Sequence, residues 1–145
     1  MRPLLIWIAT VAALSPVHAT VGYGDQFAEY YPEIVNAQPV IEPGIPLEKE
    51  VVVSSPLRDR KATFVRSEGT KIPYDKSVGV ITIESKNGPK QYLLLKKFRW
   101  AELKWINERL LYIDINIGHI AGIDAIFDAQ DGKWLYRQSM SFETE

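Results

Sequence analysis

The sequence predicts an all-β protein: an antiparallel sandwich or small barrel of about eight strands built on hairpins, with a C-terminal four-stranded meander and an irregular N-terminal arm. Three observations carry this expectation. Between residues 102 and 141, three apolar runs with a shorter one in front are separated by short turn clusters. Leu111, Ile113, Ile115 and Ile117 alternate with Tyr112, Asp114 and Asn116, which puts the aliphatics on one face of a strand and the polar groups on the other. Asn87-Gly88 and Asp131-Gly132 are dipeptides that tolerate the positive φ of tight hairpin turns.

Taken in order, the chain opens with a positive Met1-Arg2, an apolar run from Leu4 to Leu14, and small residues at Val17-His18-Ala19. The run is too short to span a bilayer, and Pro16 and His18 end it. Residues 1–19 are therefore expected to be a secretory signal peptide cleaved near Ala19, placing the mature protein in the periplasm or outside the cell. The chain contains no cysteine, which excludes disulfides, thiol catalysis, thiolate metal sites and a lipoprotein anchor. Export without disulfides suits a bacterial envelope protein better than a small animal secreted domain.

Residues 20–47 form a Pro-rich acidic arm with Pro32, Pro39, Pro43 and Pro46 and the unopposed acids Asp25, Glu29, Glu33 and Glu42. Proline keeps such a segment extended. Phe27, Tyr30, Tyr31, Ile34 and Val35 make it too apolar for a free linker, so the arm is expected to lie against the body, with room for one helical turn between Asp25 and Val35. Thr20 to Asp25 spells TVGYGD, the letters of a potassium-channel filter. A filter needs four chains and flanking membrane helices, which nothing downstream can supply, and the match is read as chance.

Residues 48–145 are expected to be a single β domain. Val51 to Ser54, Arg60 to Arg66, Val78 to Glu84 and Gln91 to Phe98 read as strands. Pro89 after Asn87-Gly88 argues that this hairpin end lies at a sheet edge, whereas apolarity on both faces of Tyr92 to Leu95 argues for a central strand. Glu102 to Ile106 is ambiguous. Trp100, Leu103, Ile106 and Leu110 have helical spacing, but Leu103 and Trp105 alternate with Glu102 and Lys104, and strand is the reading taken. Gly118 and Gly122 are expected to bracket a turn, and Ile123 to Ala129 to form the next strand. A type I′ turn at Asp131-Gly132 should lead into Trp134 to Met140, with Trp134 and Tyr136 on one face and Leu135 on the other. The expected core is Phe64, Val80, Ile81, Ile83, Leu93, Leu95, Trp105, Leu111, Ile113, Ile115, Ile126, Phe127 and Leu135.

Signals for chemistry are sparse. His119 is the single histidine after residue 19, flanked at five residues on each side by Asp114 and Asp124, which a hairpin could set facing each other so that one carboxylate orients the imidazole. No recognisable nucleophile accompanies them, so His119 reads as a polar turn residue. Asp114, Asp124, Asp128 and Asp131 lack the alternation of a calcium loop, and there is no phosphate-binding glycine motif. No enzyme activity, cofactor or metal is expected. Charge is segregated: Lys86, Lys90, Lys96, Lys97, Arg99 and Lys104 oppose only Glu102, and an acidic stretch follows. With a net charge of −1, a nucleic-acid role is not expected.

The expected function is a noncatalytic periplasmic binding module, such as an inhibitor or immunity-type protein for an envelope enzyme, taking a protein or an anionic glycan. Its candidate binding residues are Tyr92, Lys96, Lys97, Arg99, Trp100 and His119. No membrane span is expected after signal removal. The alternatives are a small hydrolase-like enzyme using His119 with a carboxylate, and a structural or assembly subunit of the envelope that pairs through a strand edge or the arm.

Overall fold

The computed structural model describes residues 25–118 and 121–141. The expected signal peptide, residues 20–24 of the TVGYGD run, and His119 lie outside them. A 3-10 helix, Asp25–Tyr30, precedes nine strands: β1 (Glu33–Val35), β2 (Val51–Ser54), β3 (Arg60–Arg66), β4 (Val78–Ser85), β5 (Gln91–Lys96), β6 (Trp100–Trp105), β7 (Leu110–Asn116), β8 (Ala121–Asp128) and β9 (Lys133–Ser141). They form two antiparallel sheets, one of five strands in the order β1-β5-β4-β3-β2 and one of four in the order β6-β7-β8-β9. The fold is all-β and ends in the expected four-stranded meander. Among the described residues no helix is long and apolar enough to cross a membrane.

Alternation builds the core. Ala62 and Phe64 on β3 pair with Ile83 and Ile81 on β4, and Ile81 pairs with Leu93 on β5. From the other sheet come Leu111, Ile113 and Ile115 of β7 and Ala121, Ile123, Ala125 and Phe127 of β8, all buried in the same cluster. Trp105 joins it from β6, so Trp100–Trp105 is strand and its helical spacing is incidental. Burying each large aliphatic contributes roughly 1.5–3 kcal/mol.

The sheets are pinned to each other at their margins. Beside β2, the Trp105 indole Nε1 donates to the Val53 carbonyl at 3.0 Å. Glu108, between β6 and β7, accepts from Ser55 Oγ at 2.6 Å and from the Leu57 N–H. Burial opposes ionisation of Glu108, but these hydrogen bonds outweigh it and hold its carboxyl below the usual range. On the far side, the Arg137 guanidinium of β9 lies 5.2 Å from the Tyr31 ring of the arm.

The crossover between sheets is a tight corner. Lys97 has φ 55°, its N–H donates to Ser77 O at 3.1 Å, and the Phe98 N–H donates to Ser77 Oγ at 2.9 Å. The turn ends β5 and drives the Phe98 ring into the core, where it meets Phe64 at 6.1 Å. Gly79 lies beneath both rings: a Cβ there would come within 2.7 Å of Phe64 and 2.8 Å of Phe98.

Several local expectations are corrected. The arm supplies a ninth strand, because β1 pairs with β5 through Glu33–Leu94, Ile34–Leu93 and Val35–Tyr92. The chain then runs from one edge of this sheet to the other, placing Ile41 and Ile45 in a groove with Val78 and Lys96. Pro89 lies in the turn between β4 and β5, outside both ladders, and β5 is flanked by β1 and β4; this hairpin is central, not an edge. Gly122 is a β8 residue paired with Asn116 and Met140, so the preceding turn is shorter than the glycine bracket.

The β8–β9 loop is not the two-residue type I′ turn expected. Asp128 pairs with Lys133, leaving four loop residues, of which only Gly132 has positive φ, at 65°. The Asp128 carboxylate shapes the loop by accepting the N–H groups of Gln130 and Asp131 at 3.0 and 3.1 Å. Just beyond, Phe127 pairs with Trp134 and Ile126 with Tyr136, which leaves Leu135 as the extra residue of a β-bulge. The bulge puts Trp134 and Tyr136 on opposite faces. Trp134 packs edge-on against Phe127 at 5.2 Å, while Leu135 is half-exposed. Ile126 and Leu135 therefore leave the expected core. Ile126 does so because a strand that buries Ala125 and Phe127 must turn the residue between them outward.

Candidate functional site

The outer face of the meander collects the most chemically distinctive side chains. Register places Glu102 beside Asp114, Asp114 beside Asp124, and Asp124 beside Gln138, one residue from each strand. The next row is Lys104, Tyr112, Ile126 and Tyr136, and the row on the other side is Trp100, Asn116, Gly122 and Met140. Three carboxylates on adjacent strands, about 4.8 Å apart, are thus bordered by aromatic rings. Trp100 and Tyr136 are each 43 % exposed.

Local bonding differentiates the acids. Tyr112 donates its hydroxyl to Asp124 Oδ1 at 2.7 Å. That hydrogen bond, with burial and the charges of Asp124 and Asp114, pushes the phenol well above its ordinary range. Asp114 has no such donor. Burial first, then the charges of Asp124 and Glu102, hold its carboxyl above the usual carboxylate value. Among the described residues, none of the three acids forms an ion pair with a lysine or arginine. No group of three or more acidic, His or Cys side chains among them is placed to hold a metal ion.

The residues singled out from sequence do not form one surface. Tyr92 lies on β5, paired with Thr82 and Val35, and Lys96 ends that strand on the same outward face. Lys97 is engaged by the arm: its Nζ is 3.3 Å from Glu29 Oε2 and 5.9 Å from the Tyr30 ring centre. Arg99 is exposed in the crossover, and its carbonyl accepts from the Arg66 guanidinium. Trp100 belongs to the other sheet. Elsewhere in the basic strip, Lys86 pairs with Asp59 at 3.2 Å and Lys90 with Glu84 at 2.9 Å. The acidic set divides as well. Asp114 and Asp124 do face each other, as their spacing implied, but Asp128 and Asp131 both bind Arg109, at 2.5 and 2.9 Å.

Sequence reading missed Glu102, Tyr112, Tyr136 and Gln138 as members of one face. The signal existed in the alternation of β6, β7 and β9, but joining these residues into one face required the register of three ladders.

Comparisons with protein-family models, with curated proteins and with solved structures return no match. The functional reading therefore rests on this geometry. A pleated face that sets three carboxyl side chains in a row, with an amide at its end, Lys104 to one side and aromatic rings around it, is suited to accepting cationic donors and stacking on their aliphatic stems.

Proposed function

We propose that the chain is an exported, noncatalytic binding module of the cell envelope, and that the outer face of the β6–β9 meander takes a basic surface of a partner protein. The observation that carries this reading is the row Glu102, Asp114, Asp124. Like charges directly opposite one another destabilise a ladder. Here three lie in register without an ion-paired cation among the described residues, and a partner's Lys or Arg groups would supply what the fold leaves out. Trp100, Tyr112 and Tyr136 add large contact area at low ordering cost. An inhibitor or immunity protein seated on a basic-rimmed enzyme cleft is one such module. The basic strip is a weaker candidate, since Lys86, Lys90 and Lys97 are held by Asp59, Glu84 and Glu29.

The test is affinity capture from an envelope fraction with the wild-type protein and with a Glu102→Lys/Asp124→Lys variant, followed by reconstitution with the purified captured protein. A basic partner bound by the wild type, released by salt and lost in the variant is expected. Equal binding by both forms would remove the proposal.

A further inference from the structure

The acidic face ends at β6, and β6 is an edge strand. The Ile106 N–H donates to the Leu110 carbonyl at 2.9 Å, which sets the phase of the ladder with β7. Hydrogen-bonded and non-hydrogen-bonded pairs alternate in an antiparallel ladder. Lys104, Glu102 and Trp100 therefore exchange bonds with β7, while Ala101 and Leu103 direct their N–H and C=O groups away from it. Among the described residues these outward groups have no backbone partner.

β2, the edge of the other sheet, runs alongside. The two edges are tied at the Trp105 end by the indole bond to Val53. At the other end they part around a cleft of about 230 Å³, lined by Val51, Phe64 and Arg66 on one side and Trp100, Ala101 and Glu102 on the other. The meander's opposite edge is a poorer acceptor, because β9 carries the bulge at Leu135 and is met by the arm where Arg137 lies over the Tyr31 ring, both of which discourage strand addition.

We infer that an extended segment of the partner adds to β6 as a fifth strand of the meander and carries Lys or Arg at alternate positions. Its backbone pairs with Ala101 and Leu103. Its outward side chains stand about 4.5–5.5 Å from the β6 row Trp100, Glu102 and Lys104. The one facing Glu102 continues the line Asp124, Asp114, Glu102, which calls for a cation. The one facing Trp100 is a cation over the indole, and the one facing Lys104 is uncharged. Side chains on its inward face enter the cleft over Phe64 and Val51, which calls for small apolar groups. The Arg66 charge does not oppose this, since Glu48 lies 3.5 Å from its guanidinium. The choice of cations rests on the binding face proposed above; the backbone pairing does not.

The experiment titrates the full chain with three hexapeptides: alternating Lys-Val, alternating Glu-Val, and Lys-Val with alternate backbone nitrogens methylated. Amide hydrogen exchange is followed by NMR. The Lys-Val peptide should slow exchange at Ala101 and Leu103 by roughly tenfold or more, and the other two should not. Ala101→Pro removes an outward N–H without breaking a bond to β7 and should weaken binding. If that variant fails to fold, the methylated peptide makes the same test. Glu102→Lys should reverse the preference toward Glu-Val. Binding of Lys-Val without protection at Ala101 and Leu103 would overturn strand addition while leaving the acidic face as the binding surface. Absence of peptide binding, with the envelope partner still captured, would also overturn it. Protection of Ala101 that grows with protein concentration alone would assign the edge to a second copy of the chain and overturn the inference.

Discussion

Tyr112 donates its hydroxyl to Asp124 diagonally across the β7–β8 ladder, at 2.7 Å, and so gives one member of the facing Asp114–Asp124 pair a donor that the other lacks. The bond should be visible in alkaline titration. The phenol is held un-ionised above its ordinary 10.0 by the hydrogen bond to Asp124 and by burial. A tyrosine whose folded pKa is raised contributes stability below its unfolded pKa and loses it as pH rises further. Tyr112→Phe should therefore leave the phenolate absorbance rise near pH 10 unchanged in amplitude while the protein stays folded, and should flatten the loss of stability above that pH. A smaller rise near pH 10 in the variant would show that Tyr112 titrates as an exposed phenol.

Asp114 makes the opposite prediction. Its carboxyl is raised by burial and by Asp124 and Glu102, so the unfolded chain gives up this proton first as pH climbs from the ordinary 3.8, and the folded state loses stability over that interval. Asp114→Asn should stabilise the protein at pH 7 by a few tenths of a kcal/mol to about 1 kcal/mol, the scale of a like-charge pair across a ladder. It should also weaken capture of a basic partner. Urea denaturation at pH 4 and pH 7 checks the first effect, with the gain confined to the higher pH. A variant that is more stable yet binds less well is what a face kept acidic for recognition produces.

Much of the fold was legible because period two is a local signal: the β4–β5 hairpin and the inward row of β7 follow from the order of apolar and polar residues. What was not legible depended on distant neighbours. β1 has only three residues and declares itself only by pairing with β5. Phe98 lies two residues beyond the end of β5 at Lys96, and its burial requires the positive φ of Lys97 that turns the chain toward the second sheet. Leu135 looked inward because nothing in Trp134 to Tyr136 announces an extra residue. The same gap affected the site. Asp114 and Asp124 were foreseen as facing, since the turn between them is short, but extending their row to Glu102 and Gln138 needed the register of two further ladders.

Gly79 tests the corner between the sheets. A methyl group there would collide with the rings of Phe64 and Phe98, neither of which is a flexible chain end. Gly79→Ala should cost about 1–3 kcal/mol by overpacking, and pairing it with Phe98→Leu should recover part of the loss. Additive losses in denaturant melts would separate Gly79 from the Phe98 ring.

Asp128 should govern acid unfolding at the opposite end of the meander. Its side chain is fully buried, receives Arg109 at 2.8 and 2.5 Å, and accepts two loop N–H groups. The Arg109 hydrogen bond, reinforced by those from Asp131 and Gln130, outweighs burial and holds its pKa at about 2, against an ordinary 3.8. A depressed carboxyl stabilises the fold fully above pH 4 and progressively less as pH falls toward 2. Asp128→Asn should remove that slope. Arg109→Met should lower the melting temperature more than Asp128→Asn does, because it leaves a buried charge unpaired, whereas the reverse substitution leaves only a half-exposed guanidinium.

The bulge gives the sharpest contrast within one strand. If Leu135 is the extra residue of β9, its side chain packs little, and Leu135→Lys should change stability by no more than about 0.5 kcal/mol, as at ordinary surface positions. Trp134, one residue earlier, lies edge-on against the fully buried Phe127, and Trp134→Ala should cost roughly 3 kcal/mol or more. Removing Leu135 altogether would make Trp134 and Tyr136 chain neighbours and restore strict alternation with the β8 pairing unchanged, Trp134 still inward on Phe127 and Tyr136 and Gln138 still on the outer face. That deletion should therefore leave the protein folded and partner capture intact, and a folded deletion variant in which Trp134 no longer packs on Phe127 would show that Leu135 is not the extra residue.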